Sequence, residues 1–395
     1  MPQSMALAKG ARITGGAFCL LFFLFTAYWL AVDLGEFGAD GLWASWTGDR
    51  VPGTNQVTDP LQLGLAFLQL AAVIAAFAGR RVAGGLLAVA TTVTFATALQ
   101  ALVSVGNHTS DDRWFRNAES ATSTFDGVFL SSLALFPLTL VAGIVLLAGM
   151  RSWPRPAPSD PPKRPGKAPG VIGGLVLAAM ALCYLAYHGY ILVQAGTGSL
   201  DIYYLGHGAL LSLLGLAPGW YALVFLLLTA PAALNSLIRG AAARGLAIGL
   251  AIVLLPGALL TFIAMAGHGT LFKLNDAMPG LSLLSNIQLL VDLLGSLALL
   301  ALMARGEPVA PAWYPPAQAP QFAAPGFVPP PGPQAPQFAT PGFVPPPGPQ
   351  APPAWQPPVG PVPPVSGPPM PPAGAPPMPP GTPPPPQGGF GPPQY

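Results

Sequence analysis

Eight apolar runs fill most of residues 13–303, at 13–32, 61–79, 82–105, 128–150, 171–193, 219–238, 245–266 and 283–303. A bilayer core about 30 Å thick is crossed by about 20 helical residues rising 1.5 Å each, so each run is long enough to span it. Only 8% of the chain is charged and 52% is hydrophobic. A water-soluble fold cannot cover its surface with so few charges, so the solvent for these helices is expected to be lipid. The first run follows Lys9 and Arg12 as a signal peptide would. It is too long for one, though, and no small-residue cleavage site precedes the acidic stretch 33–36, so a retained helix is expected.

The basic residues orient the spans. With the N-terminus in the cytoplasm, twelve of the sixteen fall inside: Lys9, Arg12, Arg80, Arg81, Arg151, Arg155, Lys163, Arg164, Lys167, Arg239, Arg244 and Arg305. Eleven of the fourteen carboxylates fall in the outer loops. An even number of spans with both termini cytoplasmic satisfies every loop. The expected location is a plasma membrane, and the bias to Ala, Gly, Pro and Arg over Lys points to a bacterial one.

The spans divide into two sets of four that echo each other. Ala27-Tyr28 matches Ala186-Tyr187, and Arg80 matches Arg239, each 159 residues apart. His108 in Gly-Asn-His-Thr matches His268 in Gly-His-Gly-Thr at 160. Leu146-Leu147-Ala148, ending the fourth span, resembles Leu299-Leu300-Ala301, ending the eighth. The fold expected is an all-α integral membrane protein of about eight transmembrane helices, arranged as two parallel four-helix repeats. Because four is even, both copies enter the membrane in one direction, and an axis along the membrane normal relates them. The first repeat covers 1–150, a basic Pro-rich cytoplasmic linker 151–170, the second repeat 171–305 and a tail 306–395. The linker's Arg151, Arg155, Lys163, Arg164 and Lys167 enforce topology and weakly attract anionic lipid head groups. The apolar stretch 205–216, too short to span, is expected to lie along or dip into the outer interface.

The tail is a different physical object. From 308 onward no residue is charged, and 36 of the 52 prolines fall between 311 and 395. Residues 319–334 recur as 335–350 with one difference, Ala324 against Thr340. Such a segment cannot bury enough apolar surface to offset its ordering entropy, so a disordered polyproline brush is expected. Interleaved Trp313, Phe322, Phe327, Phe338, Phe343, Trp355 and Tyr395 offer contacts to protein partners.

Within the spans the costly residue is Asp292, in a stripe with Ser285, Gln288 and Ser296 along one face of the eighth helix. No basic residue lies at its depth, so the carboxyl is expected to keep its proton. The functional reading is a proton or solute relay. The structural reading is hydrogen-bonded glue to the fourth span, through Ser132 and Thr139, helped by Asn235. Gly245 and Gly249 form a small-xxx-small pair suited to close helix packing. His108, His188, His207 and His268 all fall toward the outer face. A metal or haem site from His108, His188 and His268 is one reading, and ordinary interfacial histidine the other. Cys19 and Cys183 sit inside apolar runs and make no disulfide framework.

No nucleotide loop, nucleophile-base pair or zinc spacing occurs, so neither catalysis, a cofactor nor a nucleic-acid partner is expected. The reading placed first is a membrane anchor that presents the proline-rich tail to protein partners. A small-solute or proton-coupled transporter is the second, and an outer-face metal or haem protein the third. The topology has a direct test. With Cys19 and Cys183 replaced, Ser159→Cys and Ser366→Cys should resist impermeant thiol reagents in intact cells, while Thr54→Cys labels. Labelling of Ser366→Cys without lysis would contradict eight spans.

Overall fold

A computed structural model describes residues 4–48, 56–106, 114–115, 123–153, 163–196, 198, 200–274 and 279–308. His108, Arg155 and the tail beyond 308, with its repeats and aromatic residues, lie outside the described residues. Among the described residues, eight helices are long and apolar enough to cross a membrane: α1 (Lys9–Thr47), α2 (Pro60–Phe77), α3 (Ala83–Ser104), α4 (Ser123–Ala148), α5 (Lys167–Ala195), α6 (Pro218–Leu237), α7 (Ala243–Gly267) and α8 (Pro279–Met303). The chain thus has the architecture of a multi-pass membrane protein. Helices are the expected answer in lipid, where each backbone N–H and C=O must find its partner within the segment.

Each set of four closes a ring. α1 packs on α2 and α4, and α3 on α2 and α4. Likewise α5 packs on α6 and α8, and α7 on α6 and α8. Short antiparallel strand pairs close both rings at one end of the bundle, hereafter the linker end. There β1 (Ser4–Leu7) pairs with β2 (Met150–Trp153), and β3 (Lys163–Arg164) pairs with β4 (Glu307–Pro308). The linker residues are therefore partly strand.

The rings meet through α7, which packs against α2 and α3. The contact is built on glycine. A Cβ added at Gly85 would lie 2.3 Å from the Gly245 carbonyl carbon, and one at Gly64 would lie 2.2 Å from the Val253 oxygen. Only small residues allow backbones this close, which is how membrane helices gain packing when lipid supplies no hydrophobic drive between them. The Gly245 partner anticipated from Gly245-xxx-Gly249 is thus Gly85, and these two glycines stand 160 residues apart. The burial follows: 67% of the α3 span is buried but only 28% of α1 and of α4. Leu147 on α4 and Val193 on α5 are 77% and 80% exposed, facing the lipid.

The tight turns α2–α3 and α6–α7 have the same hydrogen bonds at the same 160-residue offset. Arg80 N donates to Ala75 O at 2.8 Å, as Gly240 N does to Asn235 O at 2.7 Å. Ala83 N donates to Arg80 O, as Ala243 N does to Gly240 O, both at 3.2 Å. The left-handed position is Gly79 (φ 71) in one and Arg239 (φ 55) in the other. Arg80 is therefore the counterpart of Gly240, and the Arg80–Arg239 match read from sequence is one residue out of register.

Two features shape the far end. α1 runs beyond the apolar run to Thr47, bending at Gly38 (φ 68, ψ 177), a conformation glycine tolerates. The stretch 205–216 is packed in part against the first ring, with Leu205 and Leu211 each 46% exposed. Leu210, Leu213 and Leu214 are each 1% exposed, and Leu213 N and Leu214 N donate to Gln56 O (3.0 Å) and Val57 O (2.9 Å). The backbone donors of an irregular segment need acceptors, and residues 56–57 of the first ring supply them. That strip is held in turn by Asp33 on α1, whose carboxylate accepts from Val57 N (3.1 Å) and Thr58 N (2.7 Å).

The glycine contact gives a graded expectation. Gly85→Ala should destabilise the detergent-solubilised protein by about 1–3 kcal/mol, the usual cost of overpacking. Gly84→Ala, whose nearest neighbour would be Leu7 Cβ at 3.7 Å, should be neutral or slightly stabilising. Paired melting curves decide it, and equal melting of the two variants would count against the α3–α7 crossing.

Candidate functional site

Asp292 lies near the middle of α8 and is 5% exposed. The stripe grades from exposed Ser285 through half-buried Gln288 to Asp292 and fully buried Ser296. Because α5 is the neighbour packed on this face, the carboxyl meets α5: Tyr184 Oη donates to Asp292 Oδ2 at 3.0 Å. Tyr184 is fully buried, its ring stacked on Phe225 and edge-on to Tyr221 of α6. A phenol so enclosed has few places to send its proton, and the carboxyl is the acceptor within reach. Gln288 lies close enough to interact with the carboxyl. Oδ1 nonetheless is buried with no hydrogen-bond partner among the described residues. A buried unsatisfied oxygen costs about 1–3 kcal/mol, so its persistence asks for a reason.

A cavity of about 350 Å³ supplies the setting. Asp292, Gln288 and Ser285 line one side, Tyr187 and Tyr221 another, Thr261 and Leu254 of α7 a third. The helix starts Asp59-Pro60 and Pro218 lie at its far-end rim. Asp59 arrives there as the N-cap of α2, accepting from Leu61 N at 2.8 Å while Gln62 reciprocates at Asp59 N, a capping box. Ser212 Oγ also donates to Asp59 Oδ2 at 3.2 Å. The cavity thus joins a carboxylate at a helix start to a carboxyl at mid-helix. Among the described residues its lining contains two acids and no basic side chain. Such a chamber is chemically suited to a proton, a small cation or a hydrogen-bonding solute, and its size is that of a small-molecule pocket.

The other residues singled out from sequence are placed as follows. Ser132 is fully buried and Thr139 Oγ1 donates to Phe136 O at 2.6 Å, both within the first ring, where α4 packs on α1 and α3. Asn235 Nδ2 donates to Pro231 O of its own helix at 2.9 Å. The partner of Asp292 is therefore Tyr184 on α5. His188 is buried, 2.6 Å from Tyr204 Oη with the rings stacked. His268 ends α7, its Nε2 3.0 Å from Thr47 O. The two histidines have separate partners, and among the described residues no group of three His, Cys, Asp or Glu could hold a metal. Of the linker bases, Arg151 is exposed in β2, Lys163 and Arg164 form β3, and Lys167 opens α5.

Tyr184, Tyr221 and Asp59 were not singled out from sequence, and Tyr187 entered only as a repeat match. The spacing Tyr184, Tyr187, His188 (i, i+3, i+4) was a usable signal, since it marks one polar-aromatic face of α5. Asp59 carried no such signal, because Asp-Pro before an apolar run reads only as a helix start. The chain matches no family model, no curated protein and no solved structure.

Proposed function

We propose that the chain is a small-solute or proton-coupled transporter working through the cavity of its second ring, with Asp292 as the group that exchanges the proton. The observation that carries this is the Asp292 carboxyl, bonded by Tyr184 with Gln288 in reach but its Oδ1 without a partner, on the wall of a chamber with no basic side chain among the described residues. A carboxyl needed only as glue is expected to have both oxygens bonded. One left open in a polar chamber suits a group whose partner comes and goes. The groups facing it are Tyr184 and Cys183 from α5, Tyr221 from α6 and Gln288 from α8 itself.

Sidedness and duplication support the reading. Twelve of sixteen basic residues fall at the linker end when the termini are cytoplasmic, so the cavity rim at Asp59 faces outward. Matching ring order, the paired strand closures, the shared turn bonds and the Gly85–Gly245 contact, all at a near-constant offset, support two parallel copies of one four-helix unit. Aligned by their ends, α4 has Thr139 where α8 has Asp292. Duplication followed by specialisation of one copy explains why only the second ring bears the site.

A second role is favoured by the tandem repeat 319–334 and 335–350, a chargeless polyproline segment suited to recruiting protein partners. The two roles are compatible and separable. In proteoliposomes with a pH-sensitive dye inside, Asp292→Asn should fold normally and carry no proton flux above empty liposomes, since an amide cannot release a proton. Truncation after Glu307 should leave flux unchanged. Wild-type flux in Asp292→Asn would refute the proton-coupled reading, and loss of flux on truncation would tie the tail to transport.

A further inference from the structure

The cavity beside Asp292 has two kinds of wall. One is polar: the Asp292 carboxyl, the Gln288 amide, the hydroxyls of Ser285 and Thr261 and the phenols of Tyr187 and Tyr221. The other is hydrocarbon, from Val253, Leu254 and Ala258 of α7 and Leu289 of α8. Asp292 is the buried pole of this chamber. Its Oδ1 has no hydrogen-bond partner among the described residues, although Gln288 lies in reach of the carboxyl. A buried acceptor in that state is completed by a donor brought to it. Asp59 is placed differently. It is engaged by Leu61 N at 2.8 Å and by Ser212 Oγ at 3.2 Å, so its carboxylate marks the mouth of the cavity. Negative charge at a mouth draws cations inward.

The lining also separates one kind of cation from another. A metal ion asks for oxygen ligands on every side, which leucine, valine and alanine do not give. A cavity of about 350 Å³ is far larger than such an ion and has the volume of a small-molecule pocket. Aromatic rings attract a cation to their faces and are the usual partners of substituted ammonium groups. Tyr221 is held ready for this by Phe225, with ring centroids 4.5 Å apart. Resting on the transporter reading above, we infer that the substrate is a small organic ammonium ion with an apolar substituent. The N–H donors go to Asp292 beside Tyr187 and Tyr221, and the substituent lies along Val253, Leu254 and Leu289. A carboxylate substrate would instead meet two acids, and a metal ion would waste the apolar wall.

The test is isothermal titration of the full chain in detergent near pH 7. The probes are phenethylammonium, its neutral analogue 2-phenylethanol, the anion 3-phenylpropionate, and sodium. Phenethylammonium should bind at concentrations where the other three do not. Asp292→Asn should weaken it at least about tenfold, the value of a hydrogen bond to a charged group. Tyr187→Leu should weaken it about fivefold, and Tyr187→Phe, which keeps the ring, should bind nearly as the wild type does. The Tyr187 pair decides the question if Asp292→Asn does not fold. Absent phenethylammonium binding, equal binding of 2-phenylethanol, or affinity undiminished in folded Asp292→Asn would overturn the inference. Proton flux of the same preparation in proteoliposomes keeps the two conclusions apart. Flux without ammonium binding overturns the substrate class and leaves the transporter standing, whereas binding without flux supports the substrate class and counts against proton coupling.

Discussion

The close approach of α7 to α2 and α3 is the contact on which the rest of the bundle rests. Lipid tails are as apolar as leucine, so nothing hydrophobic drives one helical ring against the other. What remains is shape, and glycine provides it: Gly64 lets α2 lie against the Val253 carbonyl, and Gly85 lets α3 lie against Gly245. Once these backbones touch, the start of α2 is carried to the rim of the second ring's cavity. Asp59, a residue of the first ring, thereby becomes part of a chamber otherwise built by the second. The packing contact and the polar site are two consequences of one crossing.

The chamber is unusual in where it places polarity. Elsewhere in the spans, hydroxyls bond back to their own helix, as Thr26 does to Phe22 O and Thr229 to Phe225 O. Such bonds satisfy a side chain at little cost and say nothing about function. Asp292 instead bonds across to Tyr184 of another helix, with Gln288, one turn back on α8, in reach of the same carboxyl. The first ring has the same helix order without the acid. It is polar instead at Gln69 and Thr94, joined by a 2.9 Å hydrogen bond between α2 and α3. That bond joins two helices of the first ring, as Tyr184 and Asp292 join two of the second.

Much of the fold was legible because the bilayer imposes length. All eight runs predicted from composition are helices, with ends shifted by a few residues at most, except at the far end of α1. That extension carries Glu36 and Asp40, which no hydropathy argument places in a helix, yet the chain keeps winding and bends at Gly38. The 205–216 stretch was legible as an apolar segment too short to span, but the enclosure of Leu210, Leu213 and Leu214 was not. Their burial depends on hydrogen bonds to residues 56 and 57, some 150 positions away in sequence. Asp292 was legible as an expensive residue in an apolar run. Its partner was not, because choosing α5 over α4 requires knowing which helices are neighbours within a ring.

Transport through this chamber requires water to reach Asp292 from the far end while the rest of α8 stays dry or lipid-facing. Cysteine reactivity along that helix measures this directly, since a thiol is modified quickly only where water lets it ionise. In protein lacking Cys19 and Cys183, Ser285→Cys and Gln288→Cys line the cavity, Leu294→Cys faces lipid, and Ser296→Cys is enclosed by protein. A small water-soluble methanethiosulfonate should modify the variants at 285 and 288, leaving those at 294 and 296 intact. An unreactive Gln288→Cys, or a Leu294→Cys that reacts as fast, would contradict a solvent-connected chamber at Asp292.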